Sequence, residues 1–178
     1  MDFFFFIFLL VMLLLLSYQD FTYRAISWWT LPSVLVLYWS YKQDIGLTSL
    51  SDTLINFGII GVHWFLISLY FSLKNKRPVN VLDHYIGWGD FLFFVVCAMV
   101  LGSLNFVFFL CVSFIVSLLI QLLIMQIKRP VNAQIPLAGI MALLLFSLLV
   151  VDFVMPGNIL RETNLVNNLL LWIPFISL

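Results

Sequence analysis

The chain has 178 residues, of which 64% are hydrophobic and only 9% are charged, and its mean hydropathy is +1.16. Soluble domains contain about 25% charged residues, so this composition excludes an ordinary globular protein, a disordered chain and a nucleic-acid-binding protein. Eight basic residues balance eight acidic ones, so the net charge indicates no partner. The remaining class is a protein embedded in a lipid bilayer, and no polar stretch is long enough to form a second domain, so we expect one domain over residues 1–178.

The apolar runs along the chain are continuous rather than alternating, which favours transmembrane helices over barrel strands. A helix needs about 20 residues to cross the hydrocarbon of a bilayer, and the run from 91 to 127 is too long for one crossing. We therefore expect a hairpin at residues 102–105. The predicted fold is an all-α, polytopic membrane helix bundle of about six transmembrane helices, at 3–18, 28–41, 54–73, 87–101, 106–127 and 135–151.

The basic residues predict which side of the membrane each loop occupies. Six of the eight follow the first, third and fifth predicted spans, and cytoplasmic loops are the ones that carry an excess of Lys and Arg. The N-terminus is therefore predicted to lie outside, and residues 160–178 are expected to form an interfacial tail. The six are Arg24, Lys74, Lys76, Arg77, Lys128 and Arg129, against Lys42 and Arg161 in the other loops.

Two acidic residues stand at span ends on the predicted cytoplasmic side. Asp20 ends the first span and Asp90 opens the fourth. Each has a purely structural interpretation, since Asp20 can pair with Arg24 one helical turn later and Asp90 can cap its own helix. The remaining acidic residues are interpreted as solvated: Asp2, Asp44, Asp52, Asp83, Asp152 and Glu162.

The two carboxyls together could do chemistry that neither can do alone. Two carboxyls within a few ångströms of each other cannot both ionise cheaply, so they tend to hold one proton between them. The ionised carboxyl can take a proton from a water molecule while the protonated one polarises a scissile carbonyl. Gly87 and Gly89 are predicted to leave room beside Asp90 for a substrate backbone. This chemistry needs no cofactor and no metal ion.

The motifs around these residues resemble those of type IV prepilin peptidases, the leader peptidases of pilins and archaeal flagellins. Residues 20–26 resemble the first aspartate motif of that family, with Asp20 followed by Arg24 and Ile26. Residues 87–90, with the pattern GxGD, resemble the second motif. Residues 134–138 resemble the Ile-Pro segment that opens the last core helix of the family.

The resemblance implies an aspartic-type endopeptidase with several membrane-spanning helices, located in the cytoplasmic (inner) membrane. It implies Asp20 and Asp90 as the catalytic residues, with Arg24, Gly87 and Gly89 in supporting roles. The implied substrate is a prepilin-like membrane-protein precursor, whose short basic leader is removed at the cytoplasmic face. The resemblance implies no cofactor or metal.

The chain also departs from the pattern of that family. Ser27 and Trp28 follow the first motif where Pro and Asn or Asp are common, and Leu92 stands where a Lys is common. Some members methylate the new N-terminus with an insertion after the first helix, but only about nine residues separate Tyr18 from Trp28 here. The chain thus resembles the minimal form that only cleaves.

Two other functions fit parts of the sequence. Presenilin-type proteases also use GxGD, but they pair it with Tyr-Asp and Pro-Ala-Leu, which residues 18–20 and 136–138 do not match. A non-enzymatic membrane scaffold or transporter subunit would use Asp20 and Asp90 as helix-end caps or ion ligands. Against transport, the sequence has no acidic residue at the centre of a span and no inverted repeat. His63 and Asn56 share one face of the third span, where a proton relay is one interpretation and a helix-helix hydrogen bond is the one we favour.

Overall fold

A computed structural model of the protein describes residues 2–41, 49–78, 87–127 and 136–154. Within these ranges the chain forms six helices and no strand, which confirms the predicted all-α membrane helix bundle. The helices are α1 (Asp2–Tyr23), α2 (Thr30–Tyr41), α3 (Leu50–Asn75), α4 (Trp88–Val100), α5 (Ser103–Ile127) and α6 (Leu137–Val154).

Four of these helices, α1, α3, α5 and α6, are long and apolar enough to cross a bilayer. The other two are short, with 12 residues in α2 and 13 in α4. At 1.5 Å per residue each is about 20 Å long, less than the roughly 30 Å of bilayer hydrocarbon. The helical residues of α2 and α4 are therefore too few to cross the hydrocarbon by themselves.

The short helix α4 lies at the centre of the bundle. It packs against α2, α3, α5 and α6, and six of its residues are buried, from Phe93 to Val100. Helix α1 packs against α2 and α6 on one side of it, while α3 packs against α4 and α5 on the other. Helix α3 is the most peripheral of the six, since Asn56 and Ile60 are its only buried residues. Its apolar side chains face outward, where lipid would surround them.

The alternating helix directions give the bundle two ends. We call the end that contains the turn between α4 and α5 the hairpin end, and the end that contains Asp20 and Asp90 the aspartate end. The turn at the hairpin end consists of Leu101 and Gly102 alone, and the amide of Phe106 donates to the carbonyl of Gly102 over 2.8 Å. The predicted hairpin at 102–105 is therefore wrong for its last three residues, which form the first turn of α5.

Two acidic residues predicted to be solvated are in fact partly or fully buried. Asp52 is half-buried and accepts hydrogen bonds from the hydroxyls of Ser49 and Ser103, over 2.7 and 2.6 Å. Asp152 is only 8% exposed, because α6 continues to Val154 and keeps Asp152 on the buried face of Leu145 and Leu149. The predictions for Asp44, Asp83, Glu162 and the tail at 160–178 lie outside the described residues.

Asn56 and His63, the two α3 residues predicted to share a face, make different contacts. Asn56 is fully buried and donates to the carbonyls of Ala98 and Leu101, so it makes the predicted helix-helix contact. His63 stacks on Phe114 of α5, with the ring centroids 5.3 Å apart. The prediction that the bundle has its N-terminus outside stays a prediction.

Candidate active site

Asp20 lies in the last turn of α1, three residues before the helix ends at Tyr23. The helical period of 3.6 residues places it on the same buried face as Leu13, Leu16 and Ser17. Its carboxylate points toward α6, and Oδ2 accepts a hydrogen bond of 2.6 Å from the amide of Gly139. The side chain is 7% exposed, so the carboxyl at this position is largely withdrawn from solvent.

Asp90 is the third residue of α4, and it reaches the same part of α6. The N-cap of α4 is Gly87, in an extended conformation, and the amide of Phe91 donates to the carbonyl of Gly87. Asp90 is half-buried, and its Oδ1 accepts a hydrogen bond of 2.8 Å from the amide of Ala138. Asp90 is thus not the N-cap residue itself, but its carboxyl binds two helix N-termini, because it accepts from the amide of Gly87 at the start of its own helix as well as from α6.

The first turn of α6 explains why two carboxyls meet there. The amide of Ile140 donates to the carbonyl of Pro136, so the amides of Leu137, Ala138 and Gly139 have no partner within the helix. Pro136, at the N-cap position, has no polar side-chain atom that could accept from them. An N-cap side chain normally bonds the amide of the second or third helical residue. Here these amides, at Ala138 and Gly139, donate instead to aspartates of α4 and α1.

The two hydrogen bonds also limit the distance between the carboxyls. Consecutive amide nitrogens in a helix are about 3 Å apart, so Asp20 Oδ2 and Asp90 Oδ1 lie within roughly 8 Å of each other. The two carboxyls interact electrostatically with each other, and both interact with the guanidinium of Arg24. The structure thus brings together two acidic groups from helices that are seventy positions apart in the chain.

Arg24 lies just beyond the end of α1 rather than on it. Its backbone is left-handed, with φ of 53°, and its amide donates to the carbonyl of Asp20 over 3.1 Å. This turn ends the helix directly after Tyr23 and directs the chain toward Ile26. The amide of Ser27 then donates to the side-chain carbonyl of Gln19 over 3.1 Å, which ties the connection back to α1.

The two glycines of the GxGD motif have different surroundings. A Cβ atom at Gly89 would lie 3.0 Å from Cδ1 of Ile26, so the space beside Gly89 is filled by a side chain of the first motif. The space on the Cβ side of Gly89 is thus occupied by Ile26, and the supporting role of Gly89 stays a prediction. Gly87 is exposed, and a Cβ there would meet Asp90 Oδ2 at an ordinary contact distance of 3.6 Å. Of the two glycines of this motif, Gly87 is therefore the one on the exposed side of the site.

Gly139 is a site residue that the sequence analysis missed. A Cβ atom at this position would lie 3.0 Å from Oδ2 and 3.2 Å from Cβ of Asp20, and 3.2 Å from Cε2 of Phe21. The available signal was a glycine in the first turn of an otherwise apolar helix, a position that needs a local reason because glycine weakens helices. That reason is the close approach of α1.

The chemistry open to this site is that of paired carboxyls. In the described ranges, no group of three or more His, Cys, Asp or Glu residues is arranged to hold a metal ion. The aromatic rings of Trp64 and Trp88 flank Phe91, which follows Asp90, with edge-to-face contacts of 5.2 and 6.2 Å between ring centroids. The polar groups in contact with the two acids are backbone amides of α6 and of Gly87, with the guanidinium of Arg24 nearby.

Comparison with known proteins identifies a family. The model of the type IV leader peptidase family matches residues 7–125, a range that includes Asp20, Arg24 and the GxGD motif at 87–90. The first turn of α6 lies beyond the matched range. No curated protein and no solved structure matches the chain.

Proposed function

The chain belongs to the type IV leader peptidase family and is a membrane-embedded peptidase, and from this premise we propose that it is an aspartic endopeptidase of the cytoplasmic membrane. Its proposed substrate is a prepilin-like precursor, and its proposed catalytic residues are Asp20 and Asp90. One observation carries the proposal: carboxyls from α1 and α4 accept hydrogen bonds from consecutive amides of α6.

The proposed reaction begins with one proton shared by the two carboxyls. Each carboxyl makes ionisation of the other more costly, because both are held by consecutive amides of one helix and interact electrostatically, and the two α6 amides and Arg24 stabilise the one negative charge that remains. The ionised carboxyl takes a proton from a water molecule as the water oxygen bonds to the scissile carbonyl carbon. The protonated carboxyl gives its proton to the carbonyl oxygen, which forms a gem-diol. The C–N bond then breaks as the carboxyl that took the proton from water passes it to the leaving amine, and the other carboxyl takes back a proton from a gem-diol hydroxyl, which restores the starting pair.

The hydrogen bonds to α6 suggest which oxygens react. Oδ2 of Asp20 and Oδ1 of Asp90 are held by backbone amides. The second oxygen of each carboxyl is not bonded to α6, and Oδ2 of Asp90 lies next to the exposed Gly87. We therefore assign Asp20 Oδ1 and Asp90 Oδ2 to the water and the scissile peptide, with the substrate backbone entering beside Gly87.

The depth of the site suits a precursor with a basic leader. Asp20 and Asp90 lie within one turn of the ends of their helices, at the border between apolar helix and polar loop. The distribution of basic residues predicts that this border faces the cytoplasm. A precursor with a basic leader and an apolar helix obeys the same rule, so its leader would lie on the same side and its junction at the same depth.

The alternative of a non-enzymatic scaffold or transporter subunit has one observation in its favour, because the aspartates do cap a helix. Asparagine caps helix N-termini about as well as aspartate does, but it has no titrating proton. Replacing either aspartate by asparagine therefore separates the two functions. A pure cap would keep its role, whereas a protease would lose its activity.

The test is co-expression of the full chain with a precursor that carries a basic leader and an apolar helix, with leader removal followed by gel mobility. We expect the wild type to process the precursor, and Asp20→Asn and Asp90→Asn each to slow processing at least about a hundredfold. Asp52→Asn at the hairpin end is the matched control, and we expect it to process at the wild-type rate. Full processing by Asp20→Asn or Asp90→Asn would refute the aspartic mechanism.

A further inference from the structure

We propose that Gly139 is a positioning residue of the active site, and this inference rests on the proposed function of Asp20 and Asp90. Its amide holds Oδ2 of Asp20, and its missing side chain lets α1 come close enough for that hydrogen bond to form. The geometry of the catalytic pair is thus set by the first turn of a helix whose side chains take no part in the reaction.

Glycine is an unfavourable residue for the position that Gly139 occupies. Gly139 is inside a helix and is buried, and alanine at an ordinary helical position is favoured over glycine by about 1 kcal/mol. Gly139 has helical backbone angles, so no unusual conformation requires glycine there. The requirement comes from its neighbours, since a methyl group would lie only 3.0 Å from Oδ2 and 3.2 Å from Cβ of Asp20, closer than an ordinary contact.

An alanine at position 139 would force atoms of α1 or α6 to move. An added methyl group at 3.0 to 3.2 Å from Asp20 requires a shift of a few tenths of an ångström. The crowded atoms include the Cβ of Asp20, which is fixed to the backbone of α1, so a rotation of the side chain alone cannot relieve the contact. Either the two helices separate or the carboxyl leaves the amide. Both movements displace Asp20 relative to Asp90, which Ala138 continues to hold.

Such a movement would slow the proposed reaction. A displacement of about 1 Å in a catalytic group can reduce the rate a hundredfold when the geometry of attack is demanding. The precursor would still bind, because Gly139 is buried behind Asp20 and makes no contact with the open side at Gly87. Gly139→Ala should therefore lower kcat and leave KM almost unchanged.

The experiment compares Gly139→Ala with Gly58→Ala and Gly61→Ala in the purified, full-length protein acting on the same basic-leader precursor. The control glycines are also helical, but a Cβ at either meets no atom within 4 Å. We expect Gly139→Ala to reduce kcat at least about tenfold with KM within twofold of wild type, while both controls stay within twofold in kcat. Wild-type kcat in Gly139→Ala would overturn the inference.

A second measurement tests the contact without activity. We expect Gly139→Ala to lower the unfolding temperature in the wild-type background and to lower it less in an Asp20→Gly background, where both crowding atoms of Asp20 are absent. Equal losses in the two backgrounds would overturn the inference. If Gly139→Ala does not fold alone, its recovery in the Asp20→Gly background supports the contact, and continued failure overturns it. Wild-type protein that leaves the precursor uncleaved would contradict the proposed function, and the unfolding comparison would still decide the role of Gly139.

Discussion

At each end of the bundle, side chains from other helices form hydrogen bonds with a helix terminus. These side chains are donors at the hairpin end and acceptors at the aspartate end. At the hairpin end, the last carbonyls of α4 are the groups that need partners. The side-chain amide of Asn56 donates to the carbonyls of Ala98 and Leu101 over 3.0 and 2.8 Å. The hydroxyl of Tyr38 donates to the carbonyl of Val100 over 2.9 Å. Both donors are neutral at ordinary pH, and they come from α3 and α2.

At the aspartate end, the groups that need partners are the first amides of α6. Two carboxyls accept from them, one from α1 and one from α4. A single neutral Ser or Asn at position 136 would satisfy one of these amides locally, as it does in most helices. The chain instead has Pro136 there and brings two acids to one place.

The side chains at the hairpin end can be explained by fold stability alone, whereas the two acids at the aspartate end cannot. The hairpin end satisfies buried carbonyls with neutral donors, which is the least costly solution in a low-dielectric interior. Two nearby carboxyls add a cost of mutual repulsion that a cap does not require. We therefore expect the aspartate end to be sensitive in activity and the hairpin end to be sensitive in stability.

The largest expected effect comes from lengthening a carboxylate by one methylene group. Asp20→Glu and Asp90→Glu keep the titrating group but shift it by more than 1 Å from the position that the α6 amides hold, so we expect a rate loss of about a hundredfold in leader removal. Asp52→Glu makes the same change at the hairpin end and should leave the rate within twofold of wild type. Initial rates on a basic-leader precursor measure all three, and equal losses at both ends would contradict the division between them.

The next effect is a loss of stability at the hairpin end. Asn56→Ala leaves the carbonyls of Ala98 and Leu101 without their donor in a buried position, and we expect the free energy of unfolding to fall by about 2 kcal/mol. Denaturant titration of the purified protein measures this loss. The folded fraction should keep the wild-type kcat, because Asn56 contacts neither aspartate. A large loss of kcat with unchanged stability would contradict our assignment of Asn56 to structure.

How far the sequence predicts this molecule depends on the kind of contact. The helices were predictable because membrane spans are long apolar runs, and each predicted span overlaps one observed helix. The alternation of the helices predicted that Asp20 and Asp90 lie at one end, and the family resemblance implied that they form a pair. Neither inference required any knowledge of side-chain packing.

Contacts between neighbouring helices were less predictable. We expected solvent around Asp152 and open space beside Gly89. In the structure Asp152 lies on a buried helix face, and the side chain of Ile26 lies beside Gly89. The sequence analysis also missed Gly139. Each depends on which faces of two helices meet and how closely, and the apolar pattern is weak on that point because nearly all positions in these helices are apolar.

A smaller effect is expected where the hairpin end loses a single neutral hydrogen bond. Tyr38→Phe removes the hydroxyl that donates to the carbonyl of Val100 and keeps the ring, which is buried at 6% exposure. We expect a loss of about 1 kcal/mol in the free energy of unfolding, half the effect of Asn56→Ala, which removes two such bonds. The same denaturant titration measures it. A loss larger than that of Asn56→Ala would show that the phenol does more than bind one carbonyl.

The smallest effect concerns Ser103, whose hydroxyl joins α5 to Asp52 of α3 over 2.6 Å. The contact is only partly buried, and Asp52 keeps its bonds to Ser49, so Ser103→Ala should reduce the free energy of unfolding by about 0.5 kcal/mol. The rate of leader removal should not change. The carboxylate of Asp52 lies at the edge of the bundle, so a water molecule can take the place of the lost hydroxyl donor. Water cannot do this at the buried carbonyls beside Asn56. A loss of unfolding free energy as large as that of Asn56→Ala would mean that Asp52 is a buried charge that depends on Ser103. The hairpin end would then resemble the aspartate end more closely than its neutral donors suggest.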